Sequence, residues 1–366
     1  MVPYKYLHIV GNEIKFIKPF VQYVNSNFNE NEHLFLILNS NGSDASAMES
    51  IVNVKVLKPY DSENGNIRKL MFLYKIPSAF FFLFKYFIRY KKVYIHGLFD
   101  KKVILFLYLF RVFLNKSYWI IWGGGDLDVP TEKESETVWF KLTCAVKGGF
   151  SNYVTYLPGD YEIAKELYGA KGSCHESLMY ESNVYKDIVI NSIDDDVTRI
   201  QVGNSADSAN NHMEILEDLK PFKNDNILIY CILSYGEKPW SKGWIDKVME
   251  RGESIFGDKF VAITDFMNYE EYLVFLGGID IAIFAHKKQQ GMGNIISLLG
   301  LGKKVFLRTD ISSWKLFESV GVKVFDVKKI DIDPLGSADI DGNREVMKNF
   351  FSKEKYFIQL NKLFEV

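Results

Sequence analysis

The feature that most constrains the fold of this chain is a repeated alternation between short apolar runs and longer stretches with helical periodicity. Runs such as Leu34–Leu38 and Ile227–Leu233 are apolar throughout and are followed by amphipathic segments. Continuous apolar runs suit strands that are buried on both faces, which is the situation in parallel sheets covered by helices. The sequence therefore predicts an α/β protein with parallel sheets.

The alternation runs through the chain twice, and the polar, acidic stretch Asn191–Asp196 separates the two arrays. The predicted strands are Tyr4–Val10, Leu34–Leu38, Val52–Leu57, Val93–His96, Tyr118–Trp122 and Tyr153–Tyr156 in the first array, and Arg199–Val202, Ile227–Leu233, Phe260–Ile263, Ile279–Phe284 and Lys304–Leu307 in the second. Two arrays of this kind predict two Rossmann-like domains facing a cleft, the GT-B arrangement. We expect a first domain over residues 1–190, a second over 197–342, and a C-terminal helix within 343–366 that packs back on the first domain.

Charge is distributed unevenly along the chain, although the formal net charge is only −2. The segment Asn66–Lys116 contains eleven Lys or Arg residues and one acid, Asp100, so it alone carries about +10. Such a basic region indicates an anionic partner, either lipid or nucleic acid. Because no recognised nucleic-acid module accompanies it, we expect an anionic membrane surface as the partner and no nucleic acid.

The most apolar stretches of this basic segment, Ile76–Ile88 and Val103–Leu114, are too short to cross a bilayer, since about 20 residues are needed. The start of the chain is read as a first strand and not as a signal peptide. Three widely spaced cysteines favour a reducing compartment over a disulfide scaffold. These features predict a peripheral protein on the cytoplasmic side of the membrane.

A glycine turn follows a predicted strand at two places in the second array. After Gly203, small polar residues open a helix that Ser208 or Asn210 would cap, and Gly291 opens another helix after three basic residues. Glycine allows close approach to the backbone, and helix N-termini attract anions. Two such loops predict a nucleotide-sugar diphosphate site formed by Gly203, Asn204, Ser205, Asn210, Gln289, Gln290, Gly291, Gly293 and Asn294.

Two further glycine segments follow predicted strands of the first array. His96 titrates near neutral pH and suits removal of a proton from an acceptor hydroxyl. Asp126, after three glycines, is a second candidate for the base or for the group that orients it. We expect both residues to be catalytic, with the acceptor contacted by Gly97, Phe99, Gly123, Gly124 and Gly125.

The sequence Asp126-Leu127-Asp128 also matches the DxD pattern through which another glycosyltransferase fold binds a metal and a diphosphate. The same pattern recurs at 194–196, 331–333 and 339–341, so it is not specific. No other cluster of hard ligands supports it, and we expect neither a metal nor a cofactor. Tyr235 and Phe266 follow two other strands, where they would stack on the base or sugar of the donor or pack in the core.

Taken together, these segments resemble one family. HGLF at 96–99, WGGGDL at 122–127, VGNSADSANNH at 202–212 and KQQGMGN at 288–294 have the order and spacing found in bacterial TDP-4-acetamido-4,6-dideoxygalactose (Fuc4NAc) transferases of enterobacterial common antigen assembly. The resemblance covers roughly residues 90–320. It implies a TDP-linked 4-amino-4,6-dideoxyhexose donor, an undecaprenyl-diphosphate-linked oligosaccharide acceptor, and peripheral attachment to the inner membrane.

Residue by residue, the resemblance implies donor contacts at the two glycine loops and places His96 and Asp126 toward the acceptor. The sequence departs from the family pattern by one additional glycine before Asp126, by Ala209 in place of Asn, and by Lys288 in place of Arg. The first 90 residues match weakly, which indicates a different acceptor, such as an O-antigen repeat unit. Two other hypotheses stay open: a non-catalytic sugar-nucleotide-binding or scaffold protein, and a nucleotide-sugar epimerase.

Overall fold

The computed structural model describes residues 4–11, 14–38, 43–57, 79–187, 196–237 and 239–365. The chain divides into two compact units, of which unit 1 comprises Met1–Glu181 with Ile358–Val366 and unit 2 comprises Ser182–Phe357. Each unit is built on one parallel sheet flanked by helices. The predicted linker lies outside the described residues except for Asp196.

The described part of unit 1 contains seven strands in the spatial order β3-β2-β1-β4-β5-β6-β7, and all described pairs are parallel. The strands are β1 (Tyr6–Val10), β2 (His33–Leu38), β3 (Val54–Leu57), β4 (Lys92–His96), β5 (Ser117–Ile120), β6 (Asn152–Val154) and β7 (Ser173–His175). The helices are α1 (Ile14–Asn27), α2 (Ser43–Glu49), α3 (described over 79–89), α4 (Lys101–Leu109), α5 (Glu132–Ser135), α6 (Val138–Lys147) and α7 (Pro158–Tyr168).

Among its described residues, unit 2 contains six strands in the order β10-β9-β8-β11-β12-β13, again parallel. The strands are β8 (Thr198–Val202), β9 (Ile227–Ile232), β10 (Phe260–Ile263), β11 (Ile281–Phe284), β12 (Lys304–Leu307) and β13 (Phe325–Asp326). The helices are α8 (His212–Leu219), α9 (Trp244–Phe256), α10 (Tyr269–Gly277), α11 (Met292–Gly300), α12 (Ser312–Ser319) and α13 (Ser337–Phe350). The last helix, α14 (Lys353–Glu365), begins in unit 2 and ends in unit 1.

The two cores differ in composition. In unit 1 large aromatic side chains are fully buried, among them Phe35, Tyr94, Trp119 and Tyr153, which explains where much of the high aromatic content of the chain lies. In unit 2 the core is mainly aliphatic, with residues such as Ile200, Ile229 and Ile283 on neighbouring strands. The apolar runs predicted as strands therefore form the centre of both sheets.

The single C-terminal helix predicted within residues 343–366 is wrong in detail, because the structure has two helices there. The first, α13, ends at Phe350, and α14 begins at Lys353 after a short break. The end of α14 packs on the sheet of unit 1: the Tyr6 hydroxyl donates to the Phe364 carbonyl at 2.5 Å, and the Tyr94 hydroxyl donates to the Leu363 carbonyl at 2.7 Å.

Each sheet contains a point at which the chain reverses the direction in which it adds strands. In unit 1 this switch point lies between the carboxyl ends of β1 and β4, where Val10 pairs with His96. In unit 2 it lies between β8 and β11, where Val202 pairs with Ile283. Ligands of open α/β sheets bind in the crevice outside such points, so the fold itself selects these two edges as candidate sites.

Candidate functional site

The two glycine loops of unit 2 converge at its switch point. The Gly203 N–H donates to the Ile283 carbonyl at 3.0 Å, which joins the first loop to the end of β11. A Cβ built on Gly291 would lie 3.3 Å from the side chain of Asn204, so the second loop lies directly against the first. Both glycines have positive φ, +64° at Gly203 and +70° at Gly291. The structure thus brings together the segments on which the predicted donor site depends.

The first loop is held in shape by Asn210, which is completely buried. Its Oδ1 accepts from the Asn204 N–H at 2.9 Å and lies 2.7 Å from His286 Nε2, while its Nδ2 donates to Ser205 Oγ at 3.1 Å. Because its amide oxygen and nitrogen are both bonded inside the protein, Asn210 supports the shape of the loop. Direct contact of Asn210 with the donor stays a prediction.

Neither predicted cap is used. Asp207 caps the short 3-10 turn that precedes α8 by accepting from the Ala209 N–H, and Asn211, with φ of +54°, occupies the N-cap position of α8 without a side-chain cap. Helix α11 likewise begins after Gly291 with no side-chain cap. Two helices therefore start at the switch point with first turns that no N-cap side chain satisfies, which favours binding of an anion there.

Asn204 presents an unsatisfied polar atom within this loop. The residue is 6% exposed, and its Oδ1 has no hydrogen-bond partner among the described residues. The Asn204 side chain forms a hydrogen bond with the Tyr235 hydroxyl, and the Tyr235 carbonyl accepts from the Ala206 N–H at 2.6 Å. A buried acceptor without a partner is costly, so its presence beside two glycine turns indicates a place where a ligand completes the structure.

Two histidines beside the loops are held neutral. Burial lowers the pKa of His286 to about 3 and that of His212 to about 4. Since neutral His286 faces an oxygen of Asn210, the hydrogen must lie on its Nε2, which then donates to that oxygen. The Trp244 indole donates to His212 Nδ1 at 3.2 Å. These histidines shape the loop and do not supply charge at neutral pH.

The remaining predicted donor residues lie around or beyond the two glycine turns. Gln289, Gln290 and Asn294 are half-buried around the Gly291 turn, and Phe266 is 76% exposed on the loop after β10, two strands from β8. Gly293 has a packing reason of its own, because a Cβ there would lie 2.5 Å from the Ser182 carbonyl. Donor contact by these residues stays a prediction.

In unit 1 the structure brings the two predicted acceptor segments together. A Cβ on Gly97, whose φ is +67°, would lie 2.2 Å from the Phe99 ring, and one on Gly125 would lie 3.8 Å from the same ring. Phe99 is 48% exposed and meets the Trp122 indole edge to face at 6.2 Å. The carboxyl edge of this sheet therefore carries an aromatic surface beside glycine turns, which suits the apolar face of a sugar.

Asp126 is an anchor of the glycine turn and not an accessible base in this structure. It is 0% exposed. Its Oδ1 accepts from the Leu98 N–H and lies 3.1 Å from Lys147 Nζ, and its Oδ2 accepts from the Trp119 indole at 2.7 Å. A carboxylate with both oxygens occupied and no exposed atom is a positioning group, so the predicted catalytic role of Asp126 does not fit this geometry.

His96 is also buried, with 1% of its surface exposed, and burial lowers its pKa to about 3. Its Nδ1 lies 2.7 Å from the Tyr180 hydroxyl and its Nε2 lies 3.0 Å from His8 Nδ1. Direct proton removal by His96 stays a prediction, and the structure gives it two internal partners instead of a free nitrogen. Sequence reasoning missed His8 and Tyr180, because each is distant in sequence from the group it contacts, and it took His286 as a basic residue, whereas burial keeps His286 neutral.

Within the described ranges, no group of three or more His, Cys, Asp or Glu side chains is arranged to hold a metal ion. Nor does any helix of these residues have the length and apolarity needed to span a bilayer.

Two independent comparisons agree with this architecture. The model of glycosyl transferase group 56, described as 4-alpha-L-fucosyltransferase, matches residues 87–339, more than half of the chain. The chain belongs to glycosyl transferase group 56. As a member of that group it is a glycosyltransferase, and the matched region contains the segments of both switch points that begin at His96, Trp122, Gly203 and Gly291.

Solved structures show the same fold at low sequence identity. A glycosyltransferase from Rickettsia africae has a TM-score of 0.62 and 13% identity, with 100% of this chain and 98% of that chain covered. Sucrose-phosphate synthase from Thermosynechococcus elongatus has a TM-score of 0.66 and 10% identity, with 98% of each chain covered. Anabaena HepE in complex with UDP has a TM-score of 0.63 and 8% identity, covering 98% of this chain and 99% of that one. The GT-B fold predicted from the sequence is confirmed.

Proposed function

We propose that this group 56 enzyme transfers a 4-amino-4,6-dideoxyhexose from a TDP-sugar to an undecaprenyl-diphosphate-linked oligosaccharide, at the cytoplasmic face of a bacterial inner membrane. The product would serve surface polysaccharide synthesis, either common antigen or O-antigen. The observation that carries the proposal is the convergence of the Gly203 and Gly291 loops at the switch point of unit 2.

The donor site has features that fit a nucleoside diphosphate. The N-termini of α8 and α11 lie at this edge without side-chain caps, and glycine at positions 203 and 291 leaves room for phosphate oxygens beside the backbone. One structural neighbour was solved with UDP, which supports this ligand class. The partial positive charge at the helix ends would stabilise the diphosphate as it leaves, so we expect no requirement for a metal.

Three observations bear on the identity of the transferred sugar. The family description names a fucosyl group, and both fucose and the proposed donor sugar are 6-deoxyhexoses. The four motif segments resemble transferases of a 4-acetamido sugar. The unsatisfied Asn204 Oδ1 calls for a hydrogen-bond donor on the ligand, which a sugar hydroxyl or an amine supplies and a phosphate oxygen does not.

An exposed face of α3 supports membrane contact. The helix buries Leu83 and Phe87 in the core of unit 1, while Phe81, Phe84 and Ile88 form a second apolar stripe, with Phe81 75% and Ile88 59% exposed. Residues spaced by three, four and seven positions share one side of a helix, so these three side chains point the same way. An amphipathic helix needs only one apolar face for its core, and the second face requires another partner.

The surroundings of this stripe indicate an anionic bilayer. Phe84 packs on Phe110 at 5.3 Å, next to Leu109 and Val112, which are 58% and 69% exposed. Several basic residues accompany these side chains in the described segment 79–116, namely Lys85, Arg89, Lys91, Lys101, Lys102 and Arg111, against one acid, Asp100. Aromatic and aliphatic groups inserted at the acyl boundary with Lys and Arg among the headgroups make a typical interfacial surface.

Calorimetry and thermal shift with TDP-, UDP- and GDP-linked sugars test the donor assignment. We expect TDP-sugars to raise the melting temperature the most, and we expect turnover with a lipid-linked acceptor to be undiminished by EDTA. Binding without transfer to any acceptor would indicate a scaffold, and interconversion of the free donor without acceptor would indicate an epimerase. Absence of binding by every sugar nucleotide would overturn the proposal.

Sedimentation with vesicles tests the membrane face separately. The protein should bind vesicles that contain anionic lipid, bind neutral vesicles weakly, and dissociate as salt rises from low to physiological concentration and above. The double variant Lys85→Glu/Arg89→Glu should abolish most of this binding, while Lys315→Glu in unit 2 serves as the control. Binding that ignores both lipid charge and salt would exclude the proposed partner.

A further inference from the structure

A chain of hydrogen bonds links three buried histidines of unit 1 to the candidate acceptor edge. His33 Nδ1 lies 3.0 Å from His8 Nε2, and His8 Nδ1 lies 3.0 Å from His96 Nε2. From His96 the chain continues through the Tyr180 hydroxyl at 2.7 Å, which in turn accepts from the Trp122 indole at 2.7 Å. The histidines are only 0–2% exposed.

The direction of every hydrogen bond follows from the end groups if each buried hydrogen has an acceptor. The Trp122 indole has a hydrogen and no acceptor, so it must donate to Tyr180. The Tyr180 hydroxyl, which burial keeps protonated by raising its pKa well above the usual value, then has one hydrogen left for His96 Nδ1. A neutral His96 therefore carries its hydrogen on Nε2 and donates to His8, and His8 in the same way donates to His33.

We propose that His33, His8 and His96 form a one-directional chain of neutral imidazoles that positions Tyr180 and Trp122 at the acceptor edge, with His8 as the central positioning residue. This inference deepens the proposed function and rests on it only for its catalytic consequence. Each imidazole has the same tautomer, with one hydrogen for each link. An added proton on any member would place two donors against each other, so the chain works only when uncharged.

The side chains packed around the three hydrogen-bonded histidines exclude water and hold the imidazole rings in place. His8 lies in the middle of β1, and its ring stacks on Phe35 at 4.4 Å and on Tyr94 at 5.0 Å. The far end is covered by the end of α14, since the Phe364 ring meets His33 edge to face at 4.5 Å. Burial and then the charge of Lys5 lower the pKa of His33, and burial and then the neighbouring histidines lower that of His8.

At the carboxyl edge of the unit 1 sheet, the hydrogen-bonded histidines and Tyr180 determine the position of Trp122. The indole is held by Tyr180 through Nε1, and its ring contacts Phe16 at 5.8 Å and Phe99 at 6.2 Å, so its orientation sets the shape of the aromatic surface. Met179, directly before Tyr180, has a φ of +60°, a conformation that a non-glycine residue adopts only when its surroundings enforce it. The backbone thus also holds Tyr180 in place.

The tautomers provide a direct test that needs no substrate. In protein labelled with ¹⁵N-histidine, long-range ¹H–¹⁵N correlation at pH 7.5 should show His8, His33 and His96 neutral with the hydrogen on Nε2. Assignment uses single His→Phe variants of the six histidines. An imidazolium, or a hydrogen on Nδ1 at any of the three, would overturn the proposal.

The positioning role is tested with His8→Phe, which keeps a ring in the stack but removes both hydrogen bonds. In protein containing 5-fluorotryptophan, the ¹⁹F signal of Trp122 should shift while that of Trp244 in unit 2 stays unchanged. The value of kcat/KM for the acceptor should fall by about tenfold or more, since misplacement by about 1 Å can cost about a hundredfold, and the Kd for the donor should change little. The matched control is His175→Phe, which removes a histidine of unit 1 outside the chain.

An unchanged Trp122 signal together with unchanged acceptor kinetics in His8→Phe would refute the positioning role. Equal losses in donor and acceptor affinity would also refute it, because they would show a general structural defect. If the native enzyme transfers sugar from no nucleotide donor, the proposed function fails. The tautomer and fluorine measurements still test the hydrogen-bonded histidines independently of that result.

Discussion

The two switch points differ in whether their buried polar groups have hydrogen-bond partners within the protein. At the edge of unit 1, the groups that sequence analysis singled out are internally satisfied: Asp126 has both oxygens occupied, and His96 has a partner on each nitrogen. At the edge of unit 2, Asn204 retains an unpaired oxygen beside helix ends without side-chain caps. The polar groups at the first edge are bonded to one another, whereas the second edge keeps a buried acceptor that a ligand can bind.

The largest expected effect tests whether Asp126 stabilises the carboxyl edge of the unit 1 sheet. In Asp126→Asn, Lys147 would keep its charge in a site where its side chain is 7% exposed, which should cost about 3–5 kcal/mol of unfolding free energy. Urea unfolding measures the loss, and Asp126→Asn/Lys147→Met should recover part of it. A variant of native stability that has lost turnover would show instead that Asp126 acts as the base.

A smaller effect tests whether the unit 2 edge depends on its glycine turn. In Gly203→Ala the new Cβ would lie 2.8 Å from Asn210 Oδ1 at a φ of +64°, and the backbone conformation alone should cost about 1–3 kcal/mol. Donor binding should weaken by about tenfold or more as the loop shifts. Gly243→Ala is the matched control, because it has a φ of +81° with no atom within 4 Å of the new Cβ. Equal loss of donor affinity in both variants would contradict the comparison.

Acid should destabilise unit 1 more than unit 2. Burial lowers the pKa of four histidines in unit 1, to about 3 for His33 and His96, well below the usual value for His8, and below it for His175. In unit 2 it lowers the pKa of two, His212 and His286. Because the folded state disfavours the proton that the unfolded chain takes up below pH 6.5, stability is full above that pH and falls as the pH decreases.

The additional strongly shifted histidine alone should make the loss in unit 1 steeper by about 1.4 kcal/mol per pH unit between about pH 6 and pH 4, and His175 adds to it in the same direction. Hydrogen exchange of strand amides at several pH values resolves the two units separately. A steeper loss in unit 2 would reverse the comparison and place the acid-sensitive groups elsewhere.

The smallest effect concerns the outer surfaces of the two units. Phe81→Ser should reduce partition onto anionic vesicles by about tenfold, given that full burial of a Phe side chain contributes about 1.5–3 kcal/mol. Val274→Ser removes a side chain of unit 2 that is 66% exposed and should leave partition unchanged. Equal effects of the two substitutions would remove the assignment of the membrane face to unit 1.

Much of the fold could be predicted from the sequence, because buried parallel strands consist of continuous apolar runs. Phe260–Ile263 and Lys304–Leu307 have the bounds that the pattern predicts. The short strands β7 and β13 were not predicted, since Ser173–His175 and Phe325–Asp326 lie at sheet edges and carry little apolar pattern. The break before Lys353 was also missed, because apolar periodicity continues across it.

The candidate site was predicted in part for a similar reason. Glycine after a strand marks a turn at the carboxyl edge, and the parallel topology then brings Gly203 and Gly291 together. The hydrogen-bond partners of a buried polar group, however, cannot be predicted from the residues next to it in the sequence. His8 and His96 are 88 residues apart and Asn210 and His286 are 76 apart, so only packing reveals that Asp126, His96 and Asn210 are already satisfied.

The second apolar stripe of α3 also determines how the protein behaves when no lipid is available. Phe81 and Ile88 then face water, and contact with any other apolar surface, including the same stripe on another molecule, lowers the free energy. Yield, solubility and monodispersity of the purified enzyme should therefore depend on detergent and ionic strength much more than its small net charge suggests.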